Sequence, residues 1–221
     1  MSRANLDVSV YGVLDPARTR GRDLAELTDA ALRGGVTLLQ LRIKSEHTRD
    51  LLAAAFSVVE VTRSHKVPLL INDRVDIAHA VKADGVHLGD EDMPPEHARE
   101  LLGEEAIIGL TIHSVSEAEM FPIGEADYFG VGAVYATASK DRDAPPIGPD
   151  GFAEIRQTLK RVAPGKPVVG IAGITAENCA PVLAAGADGV AVISDIFMAD
   201  DVEAAARRLA AAVRGAGEAA A

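Results

Sequence analysis

Short runs of apolar residues alternate along this chain with longer stretches whose apolar positions return every three or four residues. The runs at 8–14, 36–42, 68–72, 85–88, 107–111, 128–132, 167–172 and 189–193 predict strands. The stretches near 23–34, 48–65, 76–82, 95–102, 116–123, 152–162, 176–185 and 199–214 predict helices. Strand and helix taking turns eight times predicts an α/β chain folded as a (β/α)8 barrel, with a doubly wound open sheet as the alternative. Residues 1–214 form one predicted domain, and the small, polar residues 215–221 read as a frayed tail. Three related phrases, Lys82-Ala83-Asp84-Gly85-Val86, Gly124-Glu125-Ala126-Asp127-Tyr128 and Ala185-Gly186-Ala187-Asp188-Gly189-Val190, each enter a strand and read as scaffold turns.

Polar clusters stand where the strands stop. Parallel strands bring their carboxyl ends to one face, so clusters distant in sequence converge there. Along the second strand Gln40, Arg42 and Lys44 share one parity, while Leu39, Leu41 and Ile43 share the other. The polar set is therefore expected in the barrel mouth, where a guanidinium fork and a compact ammonium suit phosphate oxygens. Asn72-Asp73 ends the third strand and has two readings: a cap on the next helix, or part of a site. Asp92 follows the fourth strand. Neighbouring strands lie ~4.8 Å apart, so Asp73 and Asp92 can share a hard cation such as Mg²⁺, which favours a few carboxylates, water and phosphate oxygens. Zinc fits poorly, because His and Cys are not grouped.

The other letters carry less. His87 sits inside a strand and reads as a packed imidazole. His113 could move a proton or make a structural hydrogen bond, and Ser114 beside it does not complete a nucleophile and base. Gly173, Ile193 and Ser194 follow the last two strands, where many barrels hold a phosphate. Residues 133–149 form one long connection, with Lys140 in its middle, and such loops commonly bind or cover ligands.

Composition narrows the classes. The formal charge is −11 and no basic patch stands out, which argues against nucleic acid. Anionic substrates would need Arg42, Lys44, Lys140 and a metal to reverse the local potential. Cys179 is the single cysteine and falls in a helical pattern, so a packed, inert thiol is expected. The N-terminal letters lack a secretion-signal pattern and no apolar run is long enough to cross a bilayer, so a cytoplasmic protein with no membrane partner is expected. The chain could act alone or as a homo-oligomer.

Taken together these phrases resemble the thiamine phosphate synthase family from Tyr11 to about Arg214. They are Gln-Leu-Arg-x-Lys at 40–44, Ile-Asn-Asp-Arg-Val-Asp at 71–76, Gly-Val-His-Leu-Gly at 85–89, Glu-Asp-Met-Pro at 91–94, Gly-Val-Gly at 130–132, Pro-Pro-Ile-Gly at 145–148 and Gly-Ala-Asp-Gly-Val-Ala-Val-Ile-Ser at 186–194. Any one is weak; their order and spacing are specific. The resemblance implies a transferase that joins an aminopyrimidine methyl diphosphate to a thiazole phosphate and releases pyrophosphate. It implies diphosphate contacts from Gln40, Arg42, Lys44, Asn72 and Lys140, with Mg²⁺ on Asp73 and Asp92. It places Thr111, usually Ser, near the pyrimidine, and Thr137, Ser139, Gly173, Ile193 and Ser194 at the thiazole phosphate. Arg42, Lys44, Thr111 and Lys140 would serve the bond-breaking step, which proceeds through a pyrimidine cation and needs no protein nucleophile.

Three more positions and one pair depart from the family pattern: Ile43 for an acidic residue, Asp90 for Gln, Ala172 for the first of a Gly-Gly pair, and Tyr135-Ala136 for aromatic-Pro. Two other functions stay open: a thiazole tautomerase of the same fold with His113 as acid and base, and a barrel that binds phosphothiazole without catalysis.

Overall fold

The computed structural model describes residues 3, 6–44, 47–121, 123–137 and 144–220. Eight parallel strands close into a barrel in sequence order: β1 Val10–Leu14, β2 Leu38–Leu41, β3 Leu69–Asn72, β4 Gly85–Leu88, β5 Ile107–Ile112, β6 Tyr128–Val131, β7 Val168–Ile171 and β8 Gly189–Val192. β8 pairs with β1 through Val10 opposite Val190 and Tyr11 opposite Ala191, so no edge remains and the open-sheet alternative is excluded. The helices are α1 Leu24–Arg33, α2 Thr48–His65, α3 Val75–Val81, α4 Pro95–Leu102, α5 Val115–Met120, α6 Gly148–Val162, α7 Cys179–Ala184, α8 Ser194–Phe197 and α9 Val202–Ala220. Among the described residues no helix is long and apolar enough to cross a membrane.

The period of two along each strand divides the interior. Leu39, Leu41, Leu69, Ile71, Val86 and Leu88 face outward into the shell packed beneath the helices. Tyr11, Val13, Leu38, Leu70, Ile107, Tyr128, Val169 and Ala191 fill the barrel. With aromatics at 4%, both layers rest mainly on aliphatic packing.

The three scaffold phrases share one device. The backbone N–H groups of Asp84, Asp127 and Asp188 donate to the carbonyls of Leu69, Ile108 and Val168. Each carboxylate in turn accepts from the N–H of that same residue, at 2.8–2.9 Å. A carboxylate at the foot of one strand thus satisfies an otherwise orphaned amide at the start of a neighbouring strand, its first residue in β3 and β7 and its second in β5. Gly85 and Gly189 follow two of these aspartates because a Cβ there would run into the neighbouring backbone.

Three boundaries differ from expectation. α6 begins at Gly148, since Pro149 is tolerated in a first helical turn, so the long connection ends sooner than expected. Its stem is pinned by Ile147 N–H to Ala133 O and Gly148 N–H to Val134 O. α7 begins at Cys179, because the Asn178 side chain accepts from Thr175 N–H and holds a turn ahead of it. The helix expected to stop at Arg214 runs through Gly215 and Gly217 to Ala220, where alanine-rich letters outweigh the two glycines, so the expected tail is helical to that point. Ala221 lies outside the described residues.

Candidate active site

A cavity of about 330 Å³ opens at the carboxyl ends of the strands. Its wall contains Gln40, Arg42, Asn72, Thr111, Thr137, Gly173, Ile193 and Ser194, eight residues expected there. Gln40 and Thr111 are buried in its floor. Ser139 and Lys140 lie outside the described residues. Lys44, Asp73 and Asp92 do not line this cavity; they form a group of their own beside it, on the β2, β3 and β4 loops.

Lys44 Nζ donates to Asp73 Oδ2 at 2.6 Å. Asp73 and Asp92 share a hydrogen bond, so two carboxyl groups from loops beyond adjacent strands meet. Burial pushes Asp73 up, but hydrogen bonds from Lys44 and Asp92 outweigh it and hold the group below the usual carboxylate range. Burial and the Asp73 contact push Asp92 up to about 6, although the Gly89 amide, donating to Asp92 Oδ2 at 2.7 Å, opposes this. Two carboxylates so close cannot both ionise cheaply without a cation. Among the described residues no group of three or more His, Cys, Asp or Glu is gathered for a metal. A cation here would therefore rest on two carboxylates, with water or phosphate oxygens completing its shell.

The capping reading of Asn72-Asp73 fails. Arg74 occupies the N-cap of α3, and no side chain bonds there. Asp73 instead adopts φ 61°, a left-handed conformation that Asp tolerates better than most residues. Its N–H donates to His87 O, tying the loop after β3 to strand β4.

On the opposite wall β7 ends in Ala172 and Gly173, both at positive φ. A Cβ on Gly173 would meet Ala136 O at 2.6 Å and Tyr135 Cβ at 2.7 Å, so only glycine lets the two loops close together. Ser194 opens the single turn of α8. Arg22 holds that turn from behind, donating to Phe197 O at 2.5 Å and Ala199 O at 2.8 Å. Asp195 Oδ2 accepts from Ala176 N–H, joining the turn to the β7 loop.

The family model described as thiamine monophosphate synthase matches residues 10–196. The chain belongs to the thiamine monophosphate synthase family. It is 49% identical over 209 residues to the thiamine-phosphate synthase of Natronomonas pharaonis, covering 95% of this chain and 96% of that protein. It is 45% identical over 214 residues to that of Chloroflexus aurantiacus, covering 96% of each. A solved thiamine phosphate pyrophosphorylase from Pyrococcus furiosus superposes with a TM-score of 0.83 at 36% identity, covering 96% of this chain and 98% of that one. As a thiamine monophosphate synthase family member the chain is an enzyme of the transferase class.

Several site residues escaped the sequence reading. Tyr11 lines the cavity floor and its hydroxyl meets that of Tyr128, buried beneath it, at 2.7 Å; His87 bonds Tyr128 and Thr111. Asp15, buried at 6% exposure, accepts from Arg42 Nη1 at 2.5 Å through one oxygen and from Ala17 N–H through the other. Arg18 lines the cavity from the 3₁₀ turn that Asp15 caps. A lone Asp or Arg just past β1 carries no pattern, so nothing in the letters could have marked them.

Other expectations hold. Ile43 packs against the outer shell, as its parity required. Ser114 caps α5 by accepting from Glu117 N–H, and His113 Nδ1 bonds Gly132 O at 2.6 Å. Cys179 is buried at 1% exposure.

Proposed function

We propose that the chain condenses 4-amino-2-methyl-5-pyrimidinylmethyl diphosphate with 4-methyl-5-(2-phosphooxyethyl)thiazole, giving thiamine phosphate and pyrophosphate. The observation that carries this reading is the Asp73–Asp92 contact with Lys44 against it, beside a cavity whose wall includes Arg42. Isomerising a thiazole calls for no such cluster. A Mg²⁺ ion held by Asp73 and Asp92 would supply positive charge against the diphosphate.

The chain's own residues do the rest. Thr111 stands at the pyrimidine end in the cavity floor, and Gln40 and Asn72 contact the diphosphate. Arg42 and Lys44, with Lys140 from the long connection, stabilise the charge that develops on pyrophosphate as the methylene carbon–oxygen bond breaks. Thr137, Ser139, Gly173, Ile193 and Ser194 hold the thiazole phosphate, so that the thiazole nitrogen meets the pyrimidine cation. The barrel walls keep water from that cation.

The test mixes both substrates with and without Mg²⁺. Thiamine phosphate and pyrophosphate appearing only with the metal supports the reading. Isomerised thiazole alone would replace it with a tautomerase, and binding without conversion with a silent barrel. Asp73→Asn should lower turnover and flatten the Mg²⁺ titration in a folded protein; an unchanged rate and titration would remove Asp73 from the metal site.

A further inference from the structure

Five side chains from five strands cross the cavity floor as one unbroken file. Gln40 Nε2 donates to Tyr11 Oη at 2.5 Å, and Tyr11 and Tyr128 hydroxyls meet at 2.7 Å. Tyr128 Oη meets His87 Nδ1 at 2.7 Å, and His87 Nε2 meets Thr111 Oγ1 at 2.8 Å. Glycines make room for this. Gly109 stands between His87 and Tyr128 in the strand register, and a Cβ on it would fall within the Tyr128 ring. A Cβ on Gly130 would press His87 Cε1 at 3.2 Å.

Each of the four contacts needs one hydrogen. Burial raises both tyrosine hydroxyls far above the ordinary phenol range, so both keep their protons, and a neutral imidazole carries one N–H. Two complete assignments exist. In one, Gln40 N–H donates to Tyr11, Tyr11 to Tyr128, Tyr128 to Nδ1, and Nε2–H to Thr111. In the other every arrow reverses, beginning at the Thr111 hydroxyl and ending on the Gln40 amide oxygen. With the amide nitrogen of Gln40 against Tyr11, the second would set donor against donor, so only the first survives.

We propose that Gln40, Tyr11, Tyr128, His87 and Thr111 form a one-way hydrogen-bond relay, in which the two tyrosines are positioning residues that hold His87 as its Nε2–H tautomer. The relay leaves the Gln40 amide oxygen as an acceptor and the Thr111 hydroxyl proton as a donor. Both residues stand in the cavity wall, so the floor presents a fixed donor–acceptor pair to the ligand.

The tautomer can be read by nitrogen NMR on the full-length protein labelled with ¹⁵N-histidine, using His87→Gln to assign the signal. The expected spectrum shows His87 with a protonated Nε2 and a bare Nδ1; a protonated Nδ1 would overturn the relay. Gln40→Glu, measured at pH 8.5, offers only acceptors at the far end and should reverse every arrow, flipping His87 to the Nδ1–H form. Tyr11→Phe keeps the ring that meets His87 edge-on at 6.4 Å and removes only a hydroxyl that bonds neither His87 nor Thr111, yet should replace the single tautomer by a mixture. A structural tyrosine would leave the signal unmoved, and an unmoved signal in both variants would sink the proposal. If both variants fail to fold, the wild-type spectrum decides alone. Independently of that signal, Tyr11→Phe should cut kcat about tenfold with little change in KM, as expected for a lost positioning contact. That kinetic arm rests on the proposed condensation; the tautomer does not.

Discussion

Replacing Gly109 by alanine tests whether the cavity floor depends on an absent side chain. Gly109 pairs with His87 on one side and Tyr128 on the other, and the new methyl group would overlap the Tyr128 ring. The ring has no room to retreat, because Tyr128 is 0% exposed and packed inside the barrel. Overpacking of this kind costs about 1–3 kcal/mol. Moving the ring also strands the Tyr11 and His87 partners of its hydroxyl, at about 1–3 kcal/mol for each buried polar group. The sum is about 3–9 kcal/mol, against the roughly 5–15 kcal/mol of a typical domain, so the variant is measured in the cold, where it retains most stability. In a chain of this size it should lower Tm by roughly 6–36 °C. Differential scanning calorimetry reads the loss. The double variant Gly109→Ala/Tyr128→Leu should recover part of it, because the ring that clashes is gone. A Tm within about 2 °C of the parent, or losses that simply add in the double variant, would refute the steric reasoning.

Arg99→Met should destabilise without touching the cavity. Its guanidinium, 5% exposed, donates to the carbonyls of Gly103, Glu104, Ala106 and Glu125 and to Asp127 at 2.8 Å, all at the amino-terminal end of the barrel. Leaving Asp127 without that partner costs about 3–5 kcal/mol by urea denaturation, with kcat and KM unchanged; altered kinetics at unaltered stability would contradict it. Ala172→Gly should raise stability by about 0.5–1 kcal/mol, because Ala172 sits at φ 72°, where a Cβ is strained; a loss would mean that its methyl group is needed for packing. For Cys179, burial pushes the thiol above its ordinary value of 9.0. A raised folded-state pKa favours the protonated thiol, so its contribution to stability is complete below the ordinary value of 9.0 and is lost as pH climbs from there through the raised folded-state value. Alkylation should therefore be negligible at pH 8 in the native protein and fast in urea, and rapid native labelling would count against the burial.

The barrel was legible because its two periodicities differ so clearly. Eight apolar runs alternate with helical spacing, and a strand's period of two was enough to point Gln40 and Arg42 into the cavity and Ile43 away from it. Where the letters misled, local chemistry explains the error. Pro149, expected in the long connection, serves in a first helical turn, and the alanines after Arg214 carry α9 across two glycines. The relay was hidden for a different reason. Tyr11 and Tyr128 look like ordinary strand aromatics, and only barrel closure brings hydroxyls 117 residues apart to hydrogen-bonding distance.

Asn72-Asp73 shows how much depends on backbone shape. As letters, the pair suits a helix cap as well as a site, since both need short polar side chains at a strand end. What separates the two is the left-handed turn at Asp73, which hands the N-cap to Arg74 and frees the carboxylate to face Lys44 and Asp92. That turn also spends the Asp73 amide on His87 O, so the backbone that aims the carboxylate is anchored to the strand carrying the relay imidazole. The acidic pair and the cavity floor therefore share one piece of main chain. A substitution that straightens Asp73 would disturb both, whereas one that only neutralises it, Asp73→Asn, would leave the floor in place. Comparing the two separates the charge of that residue from its shape.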